Sequence, residues 1–194
     1  MGHFDINMLC CLSRETGVSL DSIPMNDYEV YKAFSNCDTQ SIRQFETDFM
    51  INVLCICKPD CFSDLVKISG LGHSNGAWDN NARELLQSGT VKLKEVISSR
   101  DDIFNYLTSK GMKREQAYNV MDVVMRGKGY TLTEDFFSNI DLPQWYLDSC
   151  KIIEYLFHKA YSVFFVKMYV QLMWFKIYHN EIYTRILESD IWRE

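Results

Sequence analysis

One short segment of the sequence brings together side chains that can contact a flat, polar ligand. His73 lies in the glycine-rich stretch GLGHSNG at residues 70–76, and Trp78 follows shortly after it. On a flexible loop, an imidazole can hydrogen-bond to a nucleotide base and an indole can stack on it. His73 and Trp78 are therefore candidates for nucleotide binding. The alternative is a loop histidine that has no functional role.

The glycines of this stretch support a second interpretation. The sequence LVKISGLG at residues 65–72, followed by an apolar pattern from Ala82, is typical of a helix-hairpin-helix. In that hairpin, glycines let backbone N–H groups approach a phosphate at the start of a helix. Gly70 and Gly72 are candidates for DNA binding on this interpretation. A plain turn between two core helices fits the same spacing.

Two cations in a later glycine-rich turn are further candidates for DNA binding. Arg126 and Lys128 alternate with Gly127 and Gly129 after an apolar helical pattern. Such a turn can contact backbone phosphates without reading the base sequence. The alternative is a solvated helix end, where cations interact favourably with the helix dipole. The spacing does not decide between the two.

No group of residues predicts catalysis. Asp101 and Asp102 are explained as the acidic first turn of a helix. The sequence contains no P-loop, nucleophile elbow or HExxH zinc motif. It also lacks the clustered carboxylates that two-metal phosphoryl transfer requires. No catalytic residue, metal or cofactor is predicted.

The composition predicts a helical protein. The 194 residues include only 3 prolines and 9 glycines, and apolar residues recur at helical spacing almost throughout. No segment shows the strict alternation of a half-buried strand. We therefore expect an all-α fold that forms a single domain over residues 1–194, with a soft sub-boundary near residue 130.

The expected helices are separated by glycines, prolines and polar turns. Gly17 should end the first helix and Asn26 should cap the second. The stretch 70–76 should form a loop. The predicted helices cover residues 5–16, 27–34, 39–57, 62–69, 80–87, 101–110, 114–126, 143–157 and 159–188.

The charge distribution indicates which part of the chain could meet nucleic acid. The formal net charge of -6 argues against duplex binding by the chain as a whole. Acidic residues outnumber basic ones over residues 1–60, and the balance reverses over residues 92–130. Because phosphate contacts need cations, the middle stretch is the expected nucleic-acid face.

The cysteines and one aromatic segment indicate the cellular compartment. Seven cysteines without a regular framework are expected to be reduced core residues. Lys167, Gln171 and Lys176 interrupt the aromatic segment 160–178, and a bilayer opposes the burial of such groups. We expect a buried helix there, no membrane contact and a cytoplasmic location.

Several segments, taken in order, resemble one protein family along the whole chain. They are FSDLVKISGLGH at 62–73, RDDI at 100–103, RGKG at 126–129, WYLDSCK at 145–151 and FHKA at 157–160. Together they are similar to the fingers region of the PolC-type DNA polymerase III alpha subunit, a bacterial family C DNA polymerase. The resemblance implies a multi-helix, fingers-like domain that closes over the incoming nucleotide and the template base.

Two features of the resemblance imply that the chain is inactive alone. The family's palm supplies three metal-binding aspartates, the last just before the segment that aligns with residues 1–3, so none is expected in this chain. The sequence QFETDFMI at residues 44–51 resembles a segment whose two arginines face the triphosphate, and Asp48 and Ile51 replace them. An aspartate repels a phosphate, so triphosphate binding should be weak.

Other residues still match the family. By resemblance they divide into nucleotide-binding and DNA-binding positions. The nucleotide-binding positions are His73, Trp78 and Asn81. The DNA-binding positions are Arg126, Lys128 and Lys159, to which the hairpin interpretation adds Gly70 and Gly72.

Three functional interpretations follow. The first is a diverged, non-catalytic relative of the fingers, for example from a phage or mobile element, that binds primed or single-stranded DNA or replisome proteins. The second is part of a split polymerase that acts, with magnesium, when a palm-bearing chain joins it. The third is a helical protein-interaction module with polymerase ancestry only. The losses at Asp48 and Ile51 argue against the second, and the basic middle stretch favours the first.

Overall fold

The described part of the chain is helical and contains no strand. The computed structural model describes residues 2–137 and 140–189, without the side chains of residues 2, 3, 134 and 135, and Met1 lies outside it. The all-α prediction is confirmed. The helices are α1 (Gly2–Thr16), α2 (Tyr28–Ser35), α3 (Asp48–Cys57), α4 (Phe62–His73), α5 (Arg83–Gln87), α6 (Arg100–Ser109), α7 (Arg114–Met125), α8 (Gln144–Ile152), α9 (Lys159–Tyr178) and α10 (Asn180–Ser189).

The chain divides into two compact units. The first comprises Met1–Leu65 and Val163–Glu194, and the second comprises Val66–Ser162. The first unit therefore contains α1, α2, α3, α10 and most of α9, while the second contains α5 to α8 and most of α4. The sub-boundary predicted near residue 130 lies inside the second unit.

Aromatic packing forms the core of the first unit. The ring of Phe45 meets Phe34 at 5.1 Å and Tyr169 at 5.7 Å between centroids, both edge to face. Tyr169 lies on α9, whose apolar residues are mostly buried over residues 166–175, whereas Tyr161, Val163 and Phe164 are exposed. None of the helices described is both long and apolar enough to cross a membrane. The expected helix at residues 160–178 is confirmed, and its burial is confirmed only over residues 166–175.

The core of the second unit lies between α6, α7 and α8. Leu107 of α6 and Val124 of α7 are fully buried, and Tyr146 of α8 is 1% exposed. The rings of Tyr106 and Tyr146 lie 4.5 Å apart between centroids. An irregular turn at Trp78–Ala82, in which Asn80 has φ +56°, precedes α5, and Trp78 is buried there.

Several helix ends differ from prediction. α2 is capped by Asp27, which accepts from the Val30 N–H at 3.1 Å, rather than by Asn26. α3 begins at Asp48, because Thr47 caps it and residues 39–47 form turns and a short 3-10 helix, Arg43–Phe45. α8 ends at Ile152 instead of near residue 157, and the last predicted helix is broken at His179 into α9 and α10.

The cysteines depart from the expected reduced core. Only Cys150 is buried among the free cysteines, and Cys10 is exposed. Cys37 and Cys55 of the first unit lie side by side, with their Cα atoms 6.4 Å apart. The composition could not indicate this pairing because the two residues become neighbours only when the turn after α2 packs on α3.

Candidate nucleic-acid interface

An extended connector at residues 153–158 organises the candidate residues of the second unit. The Asn75 N–H donates to the carbonyl of Tyr155 at 3.0 Å, and the Tyr155 N–H donates back at 3.2 Å. The Phe157 N–H donates to the hydroxyl of Ser74 at 3.0 Å. These backbone bonds explain why α8 stops at Ile152, since the residues after it pair with the loop behind α4.

The glycine-rich turn after α7 packs tightly on this connector and on α8. Gly127 has φ +71°, and a Cβ built there would lie 2.5 Å from the carbonyl oxygen of Glu154. A Cβ at Gly129 would overlap the carbonyl oxygen of Cys150. Both glycines are therefore required for close backbone approach, and the turn has a fixed position on α8.

The two cations of this turn lie on its outer side. Arg126 is 61% exposed and its Nε donates to the Asp122 carboxylate at 2.9 and 3.0 Å, one helical turn earlier. Lys128 is exposed. The arrangement provides two positive groups at the surface of a rigid turn, which is a geometry suited to backbone phosphates.

His73 and Trp78 do not share a flexible loop. His73 is the last residue of α4, and its ring lies 4.7 Å from that of Phe157 between centroids. Burial lowers the pKa of His73, which favours the neutral imidazole. Trp78 is 3% exposed. The prediction of an exposed indole that stacks on a base is therefore wrong, because the Trp78 side chain is part of the core.

Asn81 is buried and engaged within the protein. Its Nδ2 donates to the Gly76 carbonyl at 2.8 Å, and the hydroxyl of Ser149 donates to its Oδ1 at 2.6 Å. The amide therefore joins the loop after α4 to α8. A nucleotide-binding role for Asn81 stays a prediction that requires these bonds to rearrange.

Gly70 and Gly72 do not form the predicted hairpin turn. Both lie inside α4, where their N–H groups belong to the helical hydrogen-bond ladder. A Cβ at Gly70 would lie 2.6 Å from the carbonyl oxygen of Ser98. Gly70 is thus explained by close packing against the segment before α6, and the helix-hairpin-helix interpretation is wrong.

Lys159 lines a groove of about 530 Å³ in the second unit. Its Nζ lies 3.5 Å from Asp102, and its backbone N–H donates to Asp101 at 3.0 Å. Prominent residues lining the groove are Lys67, Lys94, Asp102, Tyr106, Trp145 and Lys159. Sequence analysis missed this grouping, although a lysine within the apolar stretch LVKIS was a signal for a buried partner.

Asp102 is the anchor beneath this groove. Its carboxylate accepts from the Ser98 N–H and hydroxyl, and from the Ser99 N–H, at 2.8 to 3.0 Å. The Lys67 ammonium lies 2.9 Å away and also donates to the Val96 carbonyl at 2.7 Å. The predicted role of Asp102 in the first turn of a helix is confirmed, and it has a second role as an ion-pair partner.

The protonation of this pair follows from its surroundings. Burial acts to raise the pKa of Asp102, but Lys67 and the hydrogen bonds from Ser98 outweigh it, so the pKa lies below its usual range. Burial lowers the pKa of Lys67, and Asp102 opposes that effect. The carboxylate therefore stays ionised at neutral pH and holds the lysine in place.

Asp48 and Ile51 belong to the first unit. They are three residues apart on α3 and lie on adjacent parts of one helix face. Asp48 is exposed in the first turn and Ile51 is half-buried. An acidic side chain at a helix start is locally favourable because it faces the positive end of the helix dipole.

Among the described residues, one group of potential metal ligands stands out. Asp60, Cys61 and Asp64 have ligand atoms within 4.8 Å of one another. The Asp60 N–H also donates to Asp64 at 3.4 Å. Three ligands at an open surface do not make the closed tetrahedral site of a structural zinc ion. No metal is assigned there.

Comparison with known proteins agrees with the resemblance of the segments. Residues 5–139 match the family described as the bacterial DNA polymerase III alpha subunit finger domain. Over 92% of this chain, the sequence is 37% identical to the PolC-type DNA polymerase III of Thermotoga maritima. Over 94% of this chain, it is 37% identical to that of Bacillus subtilis. It spans only 14% of the length of each of these relatives.

Proposed function

Because the chain belongs to the family of bacterial DNA polymerase III alpha-subunit finger domains, we propose that it is a non-catalytic relative of the PolC fingers that binds DNA in the cytoplasm. The DNA is primed or single-stranded, and the chain acts in replication or interferes with it. A phage or mobile element is the proposed source of such a copy.

The observation that carries this proposal is the rigid turn that presents Arg126 and Lys128. Gly127 and Gly129 fix the turn against the connector and α8. The partner of Arg126 is Asp122 in an exposed i,i+4 pair, and such pairs contribute little stability. A phosphate can therefore replace Asp122 at small cost, and each such contact adds affinity without base specificity.

The groove of the second unit supplies a second set of cations. Lys94 is exposed and Lys159 is half-exposed at the groove, while Trp145 provides an aromatic surface beside them. Lysines next to an aromatic ring are typical of sites that bind single strands by phosphate contact and base stacking. This combination supports single-stranded DNA within the proposed class of ligand.

The replacements on α3 support a non-catalytic role. By resemblance, Asp48 and Ile51 replace two arginines that face the triphosphate. An exposed carboxylate at Asp48 repels a triphosphate, and Ile51 offers no charge. The protein therefore binds DNA without holding the substrate of polymerisation, and magnesium is needed only if a palm domain joins it.

A protein partner is the second candidate. In the first unit, a groove of about 270 Å³ between α1 and α9 exposes Ile6 and Phe164, at 40% and 52%. Exposed apolar residues beside a groove favour a protein contact. A replisome protein or a palm-bearing polymerase chain is the proposed occupant, and Phe164→Asp should abolish that contact without changing DNA affinity.

Binding and primer extension, measured on one preparation, test the proposal. The purified chain should bind a primed DNA saturably in the absence of magnesium and nucleotides. It should give no primer extension when both are added. Extension above a blank would overturn the non-catalytic role, and absence of DNA binding at low salt would overturn the proposed ligand.

A further inference from the structure

Two cysteines of the first unit are placed to react with each other. The Cα atoms of Cys37 and Cys55 are 6.4 Å apart, within the range that a disulfide spans, and the residues are 18 positions apart in the sequence. Cys55 is exposed on α3, and Cys37 is half-buried in the turn after α2. We propose that they form a reversible redox modification site, which hydrogen peroxide closes and a dithiol reductant opens.

The turn that carries Cys37 is held independently of the sulfur bond. The Thr39 hydroxyl donates to the Phe45 carbonyl at 2.6 Å. The Lys176 ammonium of α9 lies 3.2 Å from the Asp38 carboxylate. The first contact joins the turn to Phe45, in the segment that leads into α3. Because neither contact involves sulfur, the reduced protein keeps the turn beside this segment and the two thiols near each other.

The backbone at Cys37 directs its side chain toward α3. Its φ is +62°, a left-handed conformation that residues with a Cβ rarely adopt. This conformation ends α2, since the Asp38 N–H donates to the Ala33 carbonyl at 2.9 Å, and the Cys37 sulfur faces Cys55 of α3. A residue in this conformation is held there by its surroundings, so the pairing geometry belongs to the fold.

Two of the other cysteines compete poorly for the same reaction. Burial raises the pKa of Cys57 to about 12 and that of Cys150 to about 12, so neither is a thiolate at neutral pH. Cys10 is exposed and lies on α1, which makes it a suitable control for accessibility alone. Selectivity for Cys37 and Cys55 thus depends on their proximity.

The oxidation proceeds in two displacement steps. The exposed Cys55 thiolate attacks one oxygen of the peroxide, so that a sulfur–oxygen bond forms, the oxygen–oxygen bond breaks and hydroxide leaves. The Cys37 thiolate then attacks the sulfur of Cys55, the disulfide forms, and the hydroxyl group leaves as water after protonation. Two thiols lose two hydrogen atoms, and one peroxide becomes two waters.

The bond adds a covalent tie between the turn and α3. Closing a loop of this length in the unfolded chain increases the ratio of folded to unfolded molecules by on the order of a hundredfold. Since α3 carries Asp48 and Ile51, oxidation also fixes the turn that precedes these positions. The redox state is therefore expected to change the stability of the first unit.

Peptide mapping of the full chain tests this proposal. The reduced protein is treated with hydrogen peroxide, digested without reductant and analysed by mass spectrometry, with Cys37→Ser, Cys55→Ser and Cys10→Ser compared. Wild type and Cys10→Ser should yield one linked pair of peptides that contains Cys37 and Cys55, and dithiothreitol should separate it. Cys37→Ser should instead accumulate a dimedone-reactive sulfenic acid at Cys55.

Thermal unfolding supplies an independent readout. The midpoint should rise on oxidation in wild type and in Cys10→Ser, and should not rise in either single variant of the pair. The proposal is overturned if the oxidised wild type contains no Cys37–Cys55 linked peptide, or if peroxide converts Cys55 only to sulfinic and sulfonic acids.

Discussion

The ammonium nitrogen of Lys67 lies 2.9 Å from a carboxylate oxygen of Asp102, and each side chain is only 11% exposed. The pair joins α4 to the start of α6 and forms the base of the lysine-lined groove. Because Asp102 also accepts hydrogen bonds from Ser98 and Ser99, its charge is compensated on several sides. This arrangement makes the pair a structural support for the candidate interface.

Removing the charge of Asp102 should destabilise the second unit. Asp102→Asn leaves the Lys67 ammonium nearly buried without its counter-ion, and the expected loss is about 3 kcal/mol of unfolding free energy. Asp122→Asn is the matched control, because it breaks the exposed pair with Arg126 and should change stability little. Urea denaturation measures both. Equal effects of the two substitutions would contradict the structural role of Asp102.

The stabilisation by Asp102 should depend on pH in one direction. Its pKa is lower in the folded state than its ordinary value of 3.8, so the stabilisation is fully present above that value and is lost as the pH falls through the folded pKa. The difference in unfolding free energy between wild type and Asp102→Asn should therefore shrink below about pH 4. Denaturation series from pH 3 to pH 7 measure it, and a difference that grows in acid would exclude the ion pair.

Asp5 of the first unit should show the opposite dependence. Burial raises its pKa, although Arg43 and the hydrogen bond from Tyr169 oppose this effect, so the folded state favours the protonated carboxyl. The cost of ionising this buried group appears as the pH rises above 3.8. The unfolding free energy of Asp5→Asn, relative to that of wild type, should therefore be higher at pH 7 than at pH 4. The same denaturation series measures this difference. A difference that does not change with pH would mean that Asp5 has the same pKa in the folded and unfolded states.

The glycine of the basic turn should be less tolerant of substitution than a matched glycine elsewhere. Gly127 and Gly89 have φ of +71° and +72°, but only Gly127 faces the Glu154 backbone, while Gly89 faces open space. Gly89→Ala should cost about 1 to 2 kcal/mol from backbone strain. Gly127→Ala adds steric overlap and should cost about 3 kcal/mol or more. Thermal unfolding measures both variants. Equal losses of stability in Gly127→Ala and Gly89→Ala would show that the turn does not pack on the connector.

Restoring arginines on α3 should restore part of the triphosphate affinity. The double variant Asp48→Arg, Ile51→Arg replaces a repelling charge by two cations one helical turn apart, and affinity for a nucleotide triphosphate should rise by about tenfold. Asp21→Arg, at an exposed acidic position of the same unit, controls for the charge reversal at Asp48. Isothermal titration calorimetry compares them. If the affinity of the control variant for the triphosphate increases as much as that of the double variant, the effect comes from charge alone.

The sequence predicts those parts of the fold that local interactions determine. Gly17 ends α1 as expected, because it has φ +71°, and Asp102 stabilises the start of α6 as the acidic pattern indicates. Long-range contacts determine the rest. The end of α8 depends on pairing between Asn75 and Tyr155, which are 80 positions apart in the numbering, and no local pattern carries that information.

The candidate site could be predicted only in part for the same reason. Arg126 and Lys128 are exposed at a glycine turn, as the alternation of cations and glycines indicates. Trp78 was expected at the surface, but it is 3% exposed and belongs to the core. Gly70 was expected in a loop, but the Ser98 backbone packs where its side chain would be, so glycine is required within a helix.

The salt dependence of DNA binding tests the central claim most directly. Fluorescence anisotropy with a labelled primed DNA, at several salt concentrations, should give a linear fall of log K with log salt. The double variant Arg126→Ala, Lys128→Ala should reduce the slope by about 1.5, because two phosphate contacts are lost. Lys32→Ala, which removes an exposed cation of a comparable helical pair in the first unit, should leave the slope unchanged. A flat salt response in wild type, or parallel slopes for wild type and the double variant, would contradict DNA binding through this turn.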